Sequence, residues 1–154
     1  MLRLVKNLGA GSVSPDDVSD TLVLSYDQRV KGRLKAKTEG GRDVGLFLER
    51  GKVLANLDLL EAESGERIQV LSCNEELLEA RIDDATAFAK CCYHLGNRHV
   101  PIDIQGQRLR MKPDHILSDM LGQLGMNVST VKAPFNPEQG AYAGAKHGHR
   151  SHEH

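Results

Sequence analysis

The sequence predicts an α+β protein in three parts: an all-β N-terminal domain over residues 1–74, a ferredoxin-like βαββαβ domain over residues 75–142, and a disordered His-rich tail over residues 143–154. Three observations carry this. Apolar residues alternate with polar ones through much of the first half, the period of a half-buried strand. After Asn74 the apolar spacing changes to i, i+3, i+4, i+7, the period of a helix with one buried face. The last eight residues hold four histidines (His147, His149, His152 and His154) and nothing apolar to bury, so they cannot offset the entropy of ordering and are expected to be mobile.

In the first domain Leu22, Leu24 and Tyr26 alternate with polar or outward positions, as do Leu34 and Ala36 between Arg33, Lys35 and Lys37. Glu39-Gly40-Gly41-Arg42 supplies a turn before Val44, Leu46 and Leu48, which is a hairpin signature. A second hairpin is expected around Ser64-Gly65, with Ile68 and Val70 on its return strand. In the second domain the run from Leu77 to Ile82 suits a strand, and Asp83-Asp84 offers an N-cap to a helix. Phe88, Cys91, Cys92 and Leu95 form its buried stripe, and Gly96-Asn97 is expected to stop it. Two short strands follow about Ile102–Ile104 and Arg108–Met111, split by a turn at Gly106. A second helix starts near Pro113-Asp114, with Ile116, Leu117, Met120, Leu121 and Leu124 as its apolar face and Gly125 as its stop. Val128 to Val131 supplies a last strand, and Pro134 and Pro137 lead out to the tail. This order is that of the split βαβ motif.

Composition limits what such a chain does. Two cores of about 70 residues each are marginal by surface-to-volume scaling, so oligomerisation would help. With 20 basic against 21 acidic residues, the electrostatic footprint of a nucleic-acid binder is missing. No window approaches the roughly 18 apolar residues of a membrane span. The N-terminus interrupts its short apolar run with charge and has no signal-peptide core, so a cytoplasmic protein is expected. Cys73, Cys91 and Cys92 are odd in number and unsuited to a disulfide framework, which makes reduced thiols the default.

All seven histidines lie between residues 94 and 154, so metal-binding capacity belongs to the C-terminal half. Imidazole suits divalent nickel, copper and zinc, and the affinity order among them favours copper. An affinity tag is the bland reading of the tail. Such tags are usually unbroken runs, and these histidines are spaced by Gly148, Arg150-Ser151 and Glu153. His94 and His99 are five residues apart, about 140° around an ideal helix, and cannot chelate one ion as an i, i+4 pair would. His94 adjoins the buried stripe and reads as a structural histidine. His99, beyond the helix stop and before Val100-Pro101, is free to face a partner but is a weak ligand alone. His115 opens the second helix, where Asp114 is more simply a cap than a ligand. Cys91 and Cys92 lie on the apolar stripe and read as core. There is no Gly-x-Ser-x-Gly, no phosphate loop and no His-Glu-x-x-His, so no enzyme is expected. The strands at Ile102–Ile104 and Arg108–Met111 lack the paired aromatics of an RNA-recognition sheet.

The segment Cys92-Tyr93-His94-Leu95-Gly96-Asn97-Arg98-His99-Val100-Pro101 resembles the diagnostic segment of the urease accessory protein E (UreE) family of nickel metallochaperones. So do Arg29-Val30-Lys31-Gly32-Arg33, Gly41-Arg42-Asp43-Val44-Gly45-Leu46, Asp114-His115-Ile116-Leu117-Ser118-Asp119-Met120, Pro134-Phe135-Asn136-Pro137-Glu138-Gln139-Gly140-Ala141-Tyr142 and the tail. The resemblance implies a homodimer in which His99 from both chains meets one nickel ion at a two-fold interface. It implies a second metal-binding histidine at His115. Some members have another two places earlier, where this chain has Pro113. The histidines at 147, 149, 152 and 154 become auxiliary ligands, and zinc or copper would also bind in vitro. The implied recipient is a urease accessory GTPase acting with the urease pre-activation complex, and the implied N-terminal domain is like those of peptide-binding chaperones. Two rivals stand beside this: a His-rich nickel or zinc storage protein, and a metal-dependent hydrolase using His94, His99 and Asp103.

Overall fold

The computed structural model describes residues 1–11 and 14–141. They divide into two units, the first made of Met1–Glu76 with Lys132–Asn136, the second of Leu77–Val131 with the chain from Pro137 onward.

The first unit is strand-rich. Its strands are β1 (Leu2–Gly9), β2 (Asp20–Leu24), β3 (Arg33–Lys37), β4 (Asp43–Phe47), β5 (Leu59–Ala62) and β6 (Arg67–Ser72), in the sheet order β2-β6-β5-β1-β4-β3. Both expected hairpins form: β3 and β4 pair antiparallel from Arg33↔Phe47 to Lys37↔Asp43, and β5 pairs with β6 from Leu59↔Gln69 to Glu61↔Arg67. The strand absent from the sequence reading is β1, which lies inside the sheet, parallel to β4 and antiparallel to β5 with register shifts. Those shifts explain the omission, because a bulged strand loses its strict alternation and only Leu4 of β1 is fully buried. Leu4, Leu22, Leu24, Val44, Leu46, Leu60, Ile68 and Val70 form the core of this unit.

Tyr26 does not continue the alternation of Leu22 and Leu24. A capping box intervenes: the Gln28 N–H donates to Ser25 Oγ (3.2 Å) and the Ser25 N–H to Gln28 Oε1 (2.9 Å), starting a one-turn helix α1 (Tyr26–Arg29). That turn delivers Arg29, 1% exposed, into the interior. Its Nη1 donates to Leu54 O (3.3 Å) and Asn136 Oδ1 (3.4 Å), and its Nη2 to Phe135 O. Tyr26 stands edge-on to the Phe135 ring at 5.1 Å. A buried guanidinium thus ties the 132–136 segment to the first unit by carbonyls that would otherwise go unsatisfied.

The second unit runs β7 (Asn74–Arg81), α2 (Ala85–Asn97), β8 (Asp103–Gln105), β9 (Arg108–Met111), α3 (His115–Gln123) and β10 (Asn127–Pro134), with β7 and β10 reaching across the unit boundary and the sheet order β10-β7-β9-β8. Asp84 and Asp114 cap the two helices, accepting from the Ala87 N–H (2.8 Å) and the Leu117 N–H (3.0 Å). Phe88, Cys91 and Leu95 of α2 and Leu121 of α3 pack on Leu78, Ala80, Leu109 and Met111. The apolar face of α3 is narrower than its sequence suggests, since Ile116 is 69% and Leu124 39% exposed. On the other face of the sheet, Glu79 accepts from Arg110 Nε (2.8 Å) and Arg81 Nε (2.9 Å). Burial opposes ionisation of Glu79, but the hydrogen bonds and positive charges of the two arginines together outweigh it and hold the carboxyl below its ordinary range.

Arg29→Ala leaves two buried carbonyls without donors and is expected to cost on the order of 3 kcal/mol in chemical denaturation. A loss under about 1 kcal/mol, the range of an exposed arginine, would show that the clamp contributes little.

Candidate metal site

The site begins with how α2 ends. Leu95 is the last core residue of the helix, fully buried. Beyond it the Val100 N–H donates back to Leu95 O (3.1 Å) and the His99 N–H to Gly96 O (3.0 Å). This pair of bonds is the Schellman closure, which demands a left-handed backbone at the residue after the C-cap. That residue is His99, with φ of 57°. The helix ends at Asn97, within the expected Gly96-Asn97 stop, but the left-handed residue comes two places later, and the glycine normally found there is replaced by an imidazole. Among the described residues only Leu57 and His99 are non-glycines with positive φ. The left-handed conformation costs an L-residue roughly 1–2 kcal/mol, so the fold holds His99 against a local preference.

The turn throws His99 outward. Its ring is exposed, while Val100 behind it packs against the core and Ile102 is buried. His99, Val100 and Pro101 form one wall of an open groove of about 260 Å³. Met111, Lys112, Pro113, Asp114 and Leu117 form the other. Asp114 is committed to capping α3. His115, exposed, is the residue after it and does not line the groove. His94 is half-buried on α2, edge-on to the Tyr93 ring at 5.7 Å.

Among the described residues no three His, Cys, Asp or Glu side chains come together as a metal-holding group. The trio His94, His99 and Asp103 is therefore not gathered, and Asp103 is buried with Arg108 Nη1 at 3.7 Å. Burial raises the thiols of Cys91 and Cys92 above their ordinary pKa, which keeps them protonated and poor as ligands. His147, His149, His152 and His154 lie outside the described residues. The described chain ends at Ala141. The Glu138 N–H donates to Ile102 O (2.8 Å), three residues past His99.

What this arrangement offers chemically is one outward imidazole per chain on a tight turn, with a groove beside it and, among the described residues, no group of three donors gathered around it. The left-handed turn at His99 leaves no mark in the sequence, where Gly96 is the residue that suggests a cap.

Comparison with known proteins covers nearly the whole chain. The family model for the UreE urease accessory protein N-terminal domain matches residues 2–72, and that for its C-terminal domain matches residues 75–154. The urease accessory protein UreE of Pseudoalteromonas translucida is 45% identical over 150 residues, covering 94% of this chain and 87% of the relative. That of Marinomonas sp. is 45% identical over 152 residues, covering 99% of this chain and all of the relative. The Pseudomonas putida F1 protein is 47% identical over 132 residues, covering 85% and 79%.

His99→Gly removes the left-handed penalty and is expected to raise metal-free stability by up to about 1 kcal/mol, whereas His99→Ala keeps a Cβ there and should bring no gain. Equal stabilities for the glycine and alanine variants in urea denaturation would mean that the turn is not strained.

Proposed function

The chain belongs to the UreE urease accessory protein family, and from that premise we propose that it is a nickel metallochaperone, a cytoplasmic homodimer that carries Ni(II) at its dimer interface and passes it to an accessory GTPase for assembly of the urease active site. Its part in urease maturation, and its being an accessory protein and not an enzyme, are properties of the family. No helix among the described residues is long and apolar enough to cross a membrane.

One observation carries the reading: His99 is held outward at an energetic cost, and the described residues of its own chain gather no set of three ligands around it. A two-fold axis through such a residue supplies the second imidazole without a second sequence element. Two imidazoles leave positions for water or for the tail histidines at 147, 149, 152 and 154. The bond between Glu138 and Ile102 supports a role for the tail, because it holds Glu138 beside a residue only three positions past His99. His115, exposed and next in sequence to the groove-lining Asp114, serves as an auxiliary ligand. An open, shared site exchanges ligands stepwise, which suits a cargo in transit. Zinc and copper fit the same donors in vitro, and nickel is chosen by the family's connection to urease.

The strand order β10-β7-β9-β8 supports the ferredoxin-like reading of the second unit, and we assign residues 1–74 a binding role like that of peptide-binding chaperone domains. The rival reading, storage, is favoured by the four tail histidines.

Nickel titration by calorimetry with light scattering separates the two. The delivery reading expects a dimer whose tightest site is lost in His99→Ala. If that site survives the substitution and vanishes only on removing the tail, storage is the better account.

A further inference from the structure

β3 is an end strand of the six-stranded sheet, paired on one side with β4. Two hydrogen bonds flanking that pair fix the direction of its backbone groups. The Thr38 N–H donates to Arg42 O (2.9 Å), and the Leu48 N–H donates to Gly32 O (2.8 Å). Hydrogen-bonded and non-hydrogen-bonded positions alternate along an antiparallel pair. Leu34 and Ala36 therefore bond to β4, while Arg33, Lys35 and Lys37 send their N–H and C=O groups to the outer edge, which is open along Arg33 and Lys35 and meets β2 beyond Lys37, where the Glu39 N–H donates to Thr21 O (2.9 Å). The same three residues are exposed, and Leu34 and Ala36 pack towards the core.

The edge is one-signed in a chain whose formal net charge is −1. No acidic residue occurs from Gln28 to Thr38, and Lys31, Arg33, Lys35 and Lys37 are all exposed. Lys37 has Asp43 at 3.6 Å, but among the described residues no carboxylate lies in ion-pair reach of Arg33 or Lys35. Beside them the guanidiniums of Arg3 and Arg33 sit 4.2 Å and 5.4 Å from the Phe47 ring centre. A Cβ at Gly45 would come within 2.9 Å of both Phe47 and the Met1 side chain, so glycine lets these two lie flat over the sheet.

Lysines on an edge strand commonly stop two copies of a chain from pairing edge to edge. Like charge repels a second copy, yet the same row attracts its opposite. We propose that the free edge of β3 docks an extended acidic segment of a protein partner, which adds as a seventh strand with carboxylates at alternate positions, about 7 Å apart, opposite Arg33 and Lys35. Main-chain bonds supply the grip and the cations the selection, as in other strand-addition interfaces. The inference is independent of the nickel site, which belongs to the other unit.

The test uses the full chain, isotope-labelled, and a short capped peptide alternating threonine and glutamate. Binding is expected to weaken with salt, to slow exchange of the Arg33, Lys35 and Lys37 amides, and to fall about tenfold or more in Arg33→Glu/Lys35→Glu. Lys35→Gln should lose less than Lys35→Pro, which removes an edge donor as well as the charge without disturbing β4. No binding overturns the proposal. So does binding without protection of those amides, or equal affinity for a short DNA duplex, since charge alone would then explain it.

Discussion

Where α2 ends, two hydrogen bonds running back from His99 and Val100 to Gly96 and Leu95 force a histidine into the left-handed region. The geometry of the candidate site follows from that turn. Leu95 is anchored in the core before it and Ile102 after it, so the intervening residues have little freedom. Backbone closure, with the His99 N–H donating to Gly96 O, aims the imidazole outward. Such a residue persists only where its surroundings over-determine it, which is the usual mark of a functional position.

Several carboxylates of the second unit are occupied elsewhere. Asp84 and Asp114 cap helices, Glu79 is held by two arginines, and Asp103 is buried near Arg108. Cys91 and Cys92 are kept protonated by the apolar stripe on which they lie. These commitments leave His99 with no ready-made set of co-ligands among the described residues. For a structural metal centre that would be a defect, because such centres close four ligands around the ion. For a carrier it is an advantage: each missing ligand is a place where a recipient can attack.

The sequence made the second unit easier to read than the first. Its helices announce themselves by aspartate caps and a stripe at helical spacing, and the turn at Gly106 and the stop at Gly125 both carry positive φ. The hairpins of the first unit were equally visible in Gly40-Gly41 and Ser64-Gly65. β1 was not, because a bulge breaks its alternation and its partners are distant in sequence. Tyr26 looked like a strand residue because leucine alternation ran up to it, although Ser25 and Gln28 spelled a capping box. Ile116 and Leu124 have the right spacing for a buried face, but burial depends on what stands opposite, which periodicity does not report. Spacing also gave His99 no standing as a ligand. Its importance came from the resemblance of the surrounding ten residues to a family, and from a backbone angle that no pattern in the sequence displays.

The central claim is that one imidazole from each of two chains holds the ion. Native mass spectrometry of the full-length chain with His147, His149, His152 and His154 all replaced by alanine tests it most directly, because the tail can then contribute nothing. With nickel limiting, the account predicts a dimer carrying one ion per two chains, and an ion-free spectrum when His99→Ala is added. One ion per single chain, or an ion retained after His99→Ala, would contradict it.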